Sequence, residues 1–283
     1  MSYVIVEGVK LAYRDEGHGP VVVFVHGTPS SSAEFAGVFA RLRTSFRCVA
    51  IDHLGFGESD KPAAADYSIG AHRARLQAVL ARLGVGDYHL VAHDFGGPIA
   101  LPLAAEHPER LLSLTLINTW CWPLEETEPA LRWQRPLLRS AFMRFLYRHL
   151  NFSARVLVKA AWGTYRPLTR AQHARYQDAF QTAAEREGTV AFLQALVDGH
   201  ESASWSTDRI AQLATVPVLL LWGSGDRLVT TKTLQRWRDM FPGARVVALG
   251  GVGHFVADEA PELVADALLR FWREASAAAA EAS

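Results

Sequence analysis

The chain has 283 residues, 49% of them hydrophobic, and its 29 Lys and Arg residues balance 29 Asp and Glu residues. This length suits one large α/β domain with room for an insertion, because chains divide into separate domains only beyond about 250–300 residues. The formal charge is zero, so the chain lacks the net positive charge that binding to nucleic acid or to an anionic membrane would need. Neither partner is expected. Two cysteines, Cys48 and Cys121, are too few for a disulfide framework, and the N-terminus does not resemble a secretory signal. These features predict a cytoplasmic protein.

Short apolar segments predict strands that are buried on both faces of a mostly parallel sheet. These segments cover residues 21–25, 48–51, 90–92, 112–117, 216–222 and 245–249. Helices are expected over residues 69–83, 97–107 and 262–274, followed by a frayed Ala-rich tail. Strands that alternate with helices favour an α/β fold with helices on both sides of the sheet.

The alternation of strands and helices stops near residue 118 and resumes near residue 209. The intervening segment shows no convincing strand pattern but carries many aromatic residues. We therefore predict a core formed by residues 1–118 and 209–283, and an inserted helical cap over residues 119–208. An aromatic cap favours an apolar substrate pocket beneath it.

The segment AHDFGG, residues 92–97, lies between a predicted strand and a predicted helix. Small residues on both sides of a central residue allow the sharp strand-to-helix turn of a nucleophile elbow. The central residue here is Asp94, and no G-x-S-x-G occurs in the chain, which disfavours a serine esterase. A carboxylate attacks without prior deprotonation and suits displacement at a saturated carbon. The structural alternative for Asp94 is an N-terminal helix cap.

Three further positions complete a hydrolytic arrangement. The HGTP segment at residues 26–29 follows a predicted strand, and such a tight turn can direct backbone N–H groups into a cavity, as an oxyanion hole requires. Asp226 follows another predicted strand, and His254 lies in a later Gly-rich loop. The order of nucleophile, acid and histidine is that of α/β hydrolases. Asp226 would fix the tautomer of His254, whose other ring nitrogen then serves as a base. Taken singly, each position also fits a structural role in its loop.

Other segments carry no predicted chemistry. The Gly-rich segment DHLGFGESDKP, residues 52–62, favours a structural loop in which side chains bond to the local backbone. The chain contains no nucleotide fingerprint and no metal-binding histidine spacing, so neither a cofactor nor a metal is expected.

Over residues 3–275, the motifs HGTP, DHLGFGESDKP, AHDFGGP, WGSGD and GVGHF resemble those of the α/β-hydrolase superfamily and occur in the same order. The aspartate elbow preceded by histidine resembles haloalkane dehalogenases and epoxide hydrolases. The segment INTWCWP, together with the acid at Asp226, most resembles one dehalogenase subfamily. The resemblance implies an α/β-hydrolase fold with Asp94 as nucleophile, His254 as base and Asp226 as its partner. It also implies an oxyanion hole formed by the backbone N–H groups of Thr28 and Phe95.

Two positions depart from the dehalogenase pattern, and both concern the leaving group. The similar dehalogenases usually have tryptophan after the nucleophile and often asparagine after His-Gly, where this chain has Phe95 and Thr28. Phenylalanine has no N–H donor for a halide. An indole from Trp120, from Trp122 or from the cap could hold the halide instead, and of these Trp120 is favoured. Aromatic packing between cap and core is the structural alternative for both.

The leading functional hypothesis is a hydrolase that cleaves carbon–halogen bonds of small apolar organic substrates. An alkyl ester on Asp94 would form first, and water activated by His254 would then hydrolyse it. An epoxide hydrolase is the alternative enzyme, and it needs phenol donors from the cap. Tyr147, Tyr165 and Tyr176 are available there, but none lies at a spacing from Asp94 that matches that family, and aromatic packing is the structural alternative for each. A non-catalytic small-molecule-binding protein is the alternative of another class. The oligomeric state stays open.

Overall fold

An eight-stranded sheet forms the centre of the protein in this computed structural model, which describes residues 1–199 and 207–281. The strands are β1 (Ser2–Val6), β2 (Val9–Glu16), β3 (Val21–Val25), β4 (Arg47–Ile51), β5 (Tyr88–Asp94), β6 (Leu111–Thr119), β7 (Val218–Gly223) and β8 (Arg245–Leu249). Their spatial order is β1-β2-β4-β3-β5-β6-β7-β8. Strands β1, β2 and β4 pair antiparallel, and all later pairs are parallel. The predicted α/β class with a mostly parallel sheet is confirmed.

Helices lie on both faces of this sheet, and further helices lie in the segment between β6 and β7. In the described ranges they are α1 (Ala36–Leu42), α2 (Ile69–Arg82), α3 (Gly96–Glu106), α4 (Ala130–Leu138), α5 (Ala141–Leu150), α6 (Val158–Ala161), α7 (Arg170–Asp178), α8 (Glu187–Asp198), α9 (Thr207–Ala211), α10 (Thr231–Met240), α11 (Val256–Glu259) and α12 (Pro261–Glu281). Successive side chains of a strand point to opposite faces. Accordingly, Val23 and Val25 of β3 join one apolar cluster, whereas Val22 and Phe24 join the other. The continuous apolar runs therefore reflect burial on both faces.

The chain between β6 and β7 folds into helices α4 to α9, with shorter helical turns, in its described part. We propose that α4 to α8 form the cap predicted from the sequence. Residues 200–206 of that predicted segment lie outside the described residues. The predicted boundaries cut through two elements, because residue 119 ends β6 and residue 208 lies in α9, which packs against α3 of the core.

The C-terminal segment differs from the sequence-based expectation. A frayed tail was expected after residue 274, but α12 continues to Glu281. Alanine has the highest helix propensity of all residues, so an Ala-rich extension favours continuation of the helix. Across the described ranges, no helix is both long and apolar enough to cross a bilayer.

Candidate active site

Asp94 lies at the sharp junction between β5 and α3. Its φ angle is +51°, a left-handed conformation that non-glycine residues adopt only when the surrounding structure enforces it. The Thr119 hydroxyl donates a hydrogen bond of 2.5 Å to the Asp94 carbonyl oxygen and so secures the turn. A Cβ atom at Gly96 would overlap the carbonyl oxygen of Val25, and one at Gly27 would overlap the Asp94 carboxylate. The small residues around this turn are therefore sterically required.

The Asp94 carboxylate is bound by the two backbone N–H groups that the resemblance assigns to an oxyanion hole. The N–H group of Thr28 donates to Asp94 Oδ1 at 2.8 Å, and the N–H group of Phe95 also forms a hydrogen bond with the carboxylate. Burial acts to raise the pKa of Asp94, but the hydrogen bond and the charge of His254 outweigh it, so the pKa is lowered. Asp94 is therefore an anion at neutral pH, as a carboxylate nucleophile must be.

His254 lies between two carboxylates. Its Nε2 atom is 3.2 Å from Asp94 Oδ2, and its Nδ1 atom is 2.7 Å from Asp226 Oδ2. Burial acts to lower the pKa of His254, but Asp226 and Asp94 together raise it well above its ordinary value. The Asp226 contact places a proton on Nδ1, so proton transfer takes place at Nε2, which faces the candidate nucleophile. The fold thus brings together the three residues predicted to form a triad.

Asn118, which the sequence-based reasoning did not identify, positions Asp226. It lies near the end of β6, and its amide nitrogen donates to Asp226 Oδ2 at 2.9 Å while its amide oxygen accepts the N–H group of Gly223 at 2.8 Å. The other oxygen of Asp226 accepts the N–H groups of Leu228 and Val229 at 2.7 and 3.2 Å. Each oxygen of this carboxylate therefore accepts hydrogen bonds from donors outside the imidazole. These bonds fix the orientation of Asp226 toward His254.

A second buried pair, which the sequence-based reasoning also did not identify, supports the loop that carries His254. The Nε2–H group of His93 donates to the carbonyl oxygen of His254 at 2.9 Å, and His93 Nδ1 lies 3.0 Å from Glu34 Oε1. His93 is 1% exposed and Glu34 is 3% exposed. The only sequence signal was the histidine directly before Asp94. Neither side chain of this pair forms a hydrogen bond with Asp94 or with the His254 ring, so the pair positions the histidine loop through the His254 carbonyl oxygen.

The two candidate tryptophans lie in different environments. Phe95 packs edge-to-face against Trp120, with ring centroids 5.0 Å apart, and stacks on Phe192 of α8 at 4.5 Å. The Trp120 indole N–H has no hydrogen-bond partner within residues 1–199 and 207–281. The indole N–H of Trp122, in contrast, donates to Thr127 Oγ1 at 3.2 Å. Of the two tryptophans, Trp120 therefore lies beside the elbow and has an indole N–H group available to donate a hydrogen bond.

The three cap tyrosines are also placed differently. Tyr147 is buried on α5, and its pKa is raised chiefly by burial and further by the negative charge of Asp94, which places it within electrostatic reach of the nucleophile. The Tyr176 hydroxyl donates to Asp258 at 2.9 Å, and Tyr165 is 41% exposed. Tyr147 is thus the cap tyrosine whose pKa responds to the charge of Asp94.

This fold and site have recognisable counterparts. The sequence profile of the α/β-hydrolase fold family matches residues 20–261. The chain therefore belongs to the α/β-hydrolase fold family, as the motifs predicted.

Within this family, the chain is most informatively compared with proteins that align over nearly its whole length. Haloalkane dehalogenase 2 of Mycobacterium tuberculosis is 31% identical over 262 residues, which cover 92% of this chain and 90% of the relative. A cis-3-alkyl-4-alkyloxetan-2-one decarboxylase of Shewanella oneidensis is 32% identical over 279 residues, which cover 94% of this chain and 86% of the relative. A putative ancestral haloalkane dehalogenase structure superposes with a TM-score of 0.88 at 26% identity, covering 98% of this chain and all of that one. This chain is a haloalkane dehalogenase-like hydrolase.

Proposed function

We propose that the protein hydrolyses carbon–halogen bonds through an alkyl ester on Asp94. The observation that supports this most is the Asp94 carboxylate itself, which sits at an elbow with Oδ1 bound by the Thr28 N–H group and Oδ2 facing His254 at 3.2 Å. In the first step an electron pair of Oδ2 forms a bond to the halogen-bearing carbon. The carbon–halogen bond breaks, and the halide leaves with its electron pair.

In the second step, water replaces the alkyl group at the carboxylate. His254 Nε2 removes a proton from the water, whose oxygen attacks the ester carbonyl carbon. The negative charge that develops on Oδ1 is stabilised by the N–H groups of Thr28 and Phe95. The tetrahedral intermediate then expels the alkoxide, which takes the proton from His254 and leaves as the alcohol. The second proton of the water leaves as the Asp94 carboxyl ionises again, which restores the nucleophile. Formation of the ester removes the Asp94 charge that raised the pKa of His254, which favours the neutral imidazole that this step needs.

The departing halide needs donors that Phe95 cannot supply. Trp120 offers an uncommitted indole N–H beside Phe95, and the buried Thr28 hydroxyl has no hydrogen-bond partner within the described ranges. We propose that these two groups hold the halide. The variant Phe95→Trp adds a donor at the same place and is expected to increase halide release; unchanged or lower release would argue that a missing donor does not limit the reaction.

An epoxide hydrolase is the second candidate function, and the position of Tyr147 favours it. Opening an epoxide leaves an alkoxide on the substrate, which requires a proton donor on the side away from Asp94. We propose the buried Tyr147 phenol on α5 as this donor, because the charge of Asp94 contributes to its raised pKa. The rest of the reaction would use the same ester and the same hydrolytic step.

A third candidate follows from the relative that acts on oxetan-2-ones. Attack of Asp94 on the saturated ring carbon attached to the ring oxygen would open the lactone, with a carboxylate as leaving group. The resulting ester could then lose carbon dioxide, and the released electron pair would form an alkene and expel the Asp94 carboxylate. This route balances without water and without a base. It therefore predicts turnover in a protein that lacks His254.

One experiment separates these candidates. The variant His254→Gln keeps a hydrogen-bonding side chain but cannot activate water, so an ester on Asp94 should accumulate and appear in the intact mass. The variant is incubated with bromoalkanes, with epoxides and with 3,4-dialkyl-oxetan-2-ones. An adduct from bromoalkanes supports the dehalogenase, and adducts from epoxides alone reject it in favour of the second candidate. Alkene formed from the lactone without a lasting adduct supports the third candidate, whereas no reaction in any panel favours the binding protein.

The cytoplasmic setting predicted from the cysteines stays a prediction. Its support is that Cys48 and Cys121 are both buried, unpaired thiols.

A further inference from the structure

The charge of the chain is strongly segregated. Residues 129–177 contain ten Lys and Arg residues and no Asp or Glu. The remainder of the chain then holds nineteen of the 29 basic residues against all 29 acidic ones. The formal charge of zero is therefore the sum of a basic segment, which covers α4 to α7 almost entirely, and an acidic remainder.

Half of these ten cations are neutralised by carboxylates from outside the segment. The paired side chains are Arg135, Arg139, Arg148, Arg166 and Arg175. The other five are exposed and form no ion pair within the part of the chain that the structure describes. They are Arg132, Arg144, Arg155, Lys159 and Arg170.

Large apolar side chains are exposed among these unpaired cations. Trp133 of α4 is 87% exposed, and Phe142 and Phe145 of α5 are 62% and 51% exposed. Helix α5 buries Met143 and Tyr147 on its other side. Helices α4 and α5 pack against each other, and Phe142 and Phe145 share one side of α5 because they are three residues apart. A soluble protein exposes single apolar residues routinely, but a cluster of aromatics on adjacent helices indicates a contact surface.

We propose that this surface docks on an anionic phospholipid bilayer. We call it the cap basic face and define it by Arg132, Trp133, Phe142, Arg144 and Phe145. Helices with exposed aromatic residues on one face and with arginines on the flanking polar face bind in the plane of a bilayer interface, where the rings enter the headgroup region and the cations attract anionic lipids. A groove of about 880 Å³ opens beside this face, and Arg144 and Phe145 also line it.

The charge distribution favours a lipid surface over a second copy of the chain. A two-fold symmetric dimer through the cap basic face would bring two copies of this face together, so the unpaired arginines of both copies would share one interface, and none of the five residues that define the face is a carboxylate. An anionic bilayer offers the complementary charge to all of them at once, and it accepts Trp133 without a preformed pocket. This inference is independent of the reaction proposed above. It differs from the expectation that no anionic membrane is bound, because that expectation used the net charge of the whole chain, whereas the fold separates basic from acidic residues.

The test measures co-sedimentation of the intact protein with vesicles. One set of vesicles contains phosphatidylcholine alone, and in the other set one third of the lipid is phosphatidylglycerol. Binding is expected only to the second set and is expected to weaken at high salt, because salt screens exposed charges. Each basic residue near an anionic surface strengthens binding about fivefold, so Arg132→Glu/Arg144→Glu should weaken it at least about 25-fold. The variant Trp133→Ser/Phe142→Ser should also reduce binding.

Matched controls carry the same changes on the core. Arg82→Glu/Arg270→Glu changes the net charge equally, and Leu112→Ser/Val246→Ser removes two exposed apolar side chains elsewhere. Both controls should bind as the wild type does. Failure of the wild-type protein to bind phosphatidylglycerol vesicles would overturn the proposal, as would equal losses in the control variants. A dimer in sedimentation velocity that Trp133→Ser/Phe142→Ser converts to a monomer would also overturn it, by assigning the face to a second copy.

Discussion

Replacing Asp226 with asparagine should disable His254 as a base. Four donors converge on the two oxygens of Asp226: His254 Nδ1, the Asn118 amide, and the N–H groups of Leu228 and Val229. A carboxylate accepts from all four, whereas an amide has one accepting oxygen and must point its NH₂ group at two donors in either orientation. The conflict at the imidazole is relieved only if Nδ1 loses its proton. The remaining proton then lies on Nε2, which can no longer accept one from water.

The expected loss follows from this tautomer change. A wrong histidine tautomer in a hydrolytic triad lowers kcat about 10⁴-fold, or about 5.4 kcal/mol of transition-state stabilisation. Steady-state halide release measures the loss, and intact mass should reveal an accumulated Asp94 ester, because ester formation needs no base. The variant Asp258→Asn replaces a partly buried carboxylate elsewhere and should keep kcat within about threefold. A comparable loss in both variants, or an Asp226→Asn protein without the ester, would refute the reasoning.

The raised pKa of His254 also predicts how stability depends on pH. A histidine whose folded pKa exceeds its unfolded value of about 6.5 stabilises the folded state fully below pH 6.5. This contribution is lost as the pH rises through the folded pKa. Asp226, Asp94 and the neighbouring ring of His93 face the imidazole, and the two carboxylates cause the rise. Urea unfolding from pH 6 upward should show stability falling more steeply in wild type than in His254→Gln; parallel curves would contradict the raised pKa.

Two further substitutions test the supports of the site. Gly27→Ala places a Cβ atom on the Asp94 carboxylate. Because displacing a reacting group by about 1 Å costs about 100-fold, kcat should fall by about that factor. The control is Gly86→Ala, whose Cβ atom meets no neighbouring atom, and this variant should keep the wild-type kcat. Equal rates in the two variants would show that the carboxylate tolerates movement. His93→Phe leaves the buried Glu34 carboxylate without its partner and should lower the free energy of unfolding by about 3–5 kcal/mol. Adding Glu34→Leu to His93→Phe should recover most of the lost free energy of unfolding, as measured by urea unfolding. A double variant that is as unstable as the single variant would contradict the pairing.

Much of the fold could be predicted because its signals are local. Apolar runs such as residues 245–249 coincide with a strand, and helix α3 lies within one residue of its predicted bounds despite Pro102 in its interior. The chain order of Asp94, Asp226 and His254 was sufficient to predict that they meet, since the carboxyl ends of parallel strands lie at one edge of a sheet.

The supporting contacts could not be predicted, because they join residues that meet only in the folded sheet. Asn118 is 108 residues from Asp226, and Glu34 is 59 residues from His93, with no local pattern to connect either pair. The position of Tyr147 depends likewise on how α5 packs against α8. The basic segment at residues 129–177 was visible in the sequence, but the whole-chain charge conceals it.

The covalent ester on Asp94 is tested most directly by a single turnover of a bromoalkane in water enriched in oxygen-18, with enzyme in excess over substrate. Water that attacks the ester carbonyl leaves its oxygen in the carboxylate. We expect the heavy oxygen in the peptide that contains Asp94 and ordinary oxygen in the alcohol. Heavy oxygen in the alcohol of the first turnover, with none in that peptide, would contradict the account, because water would then have attacked the substrate carbon itself.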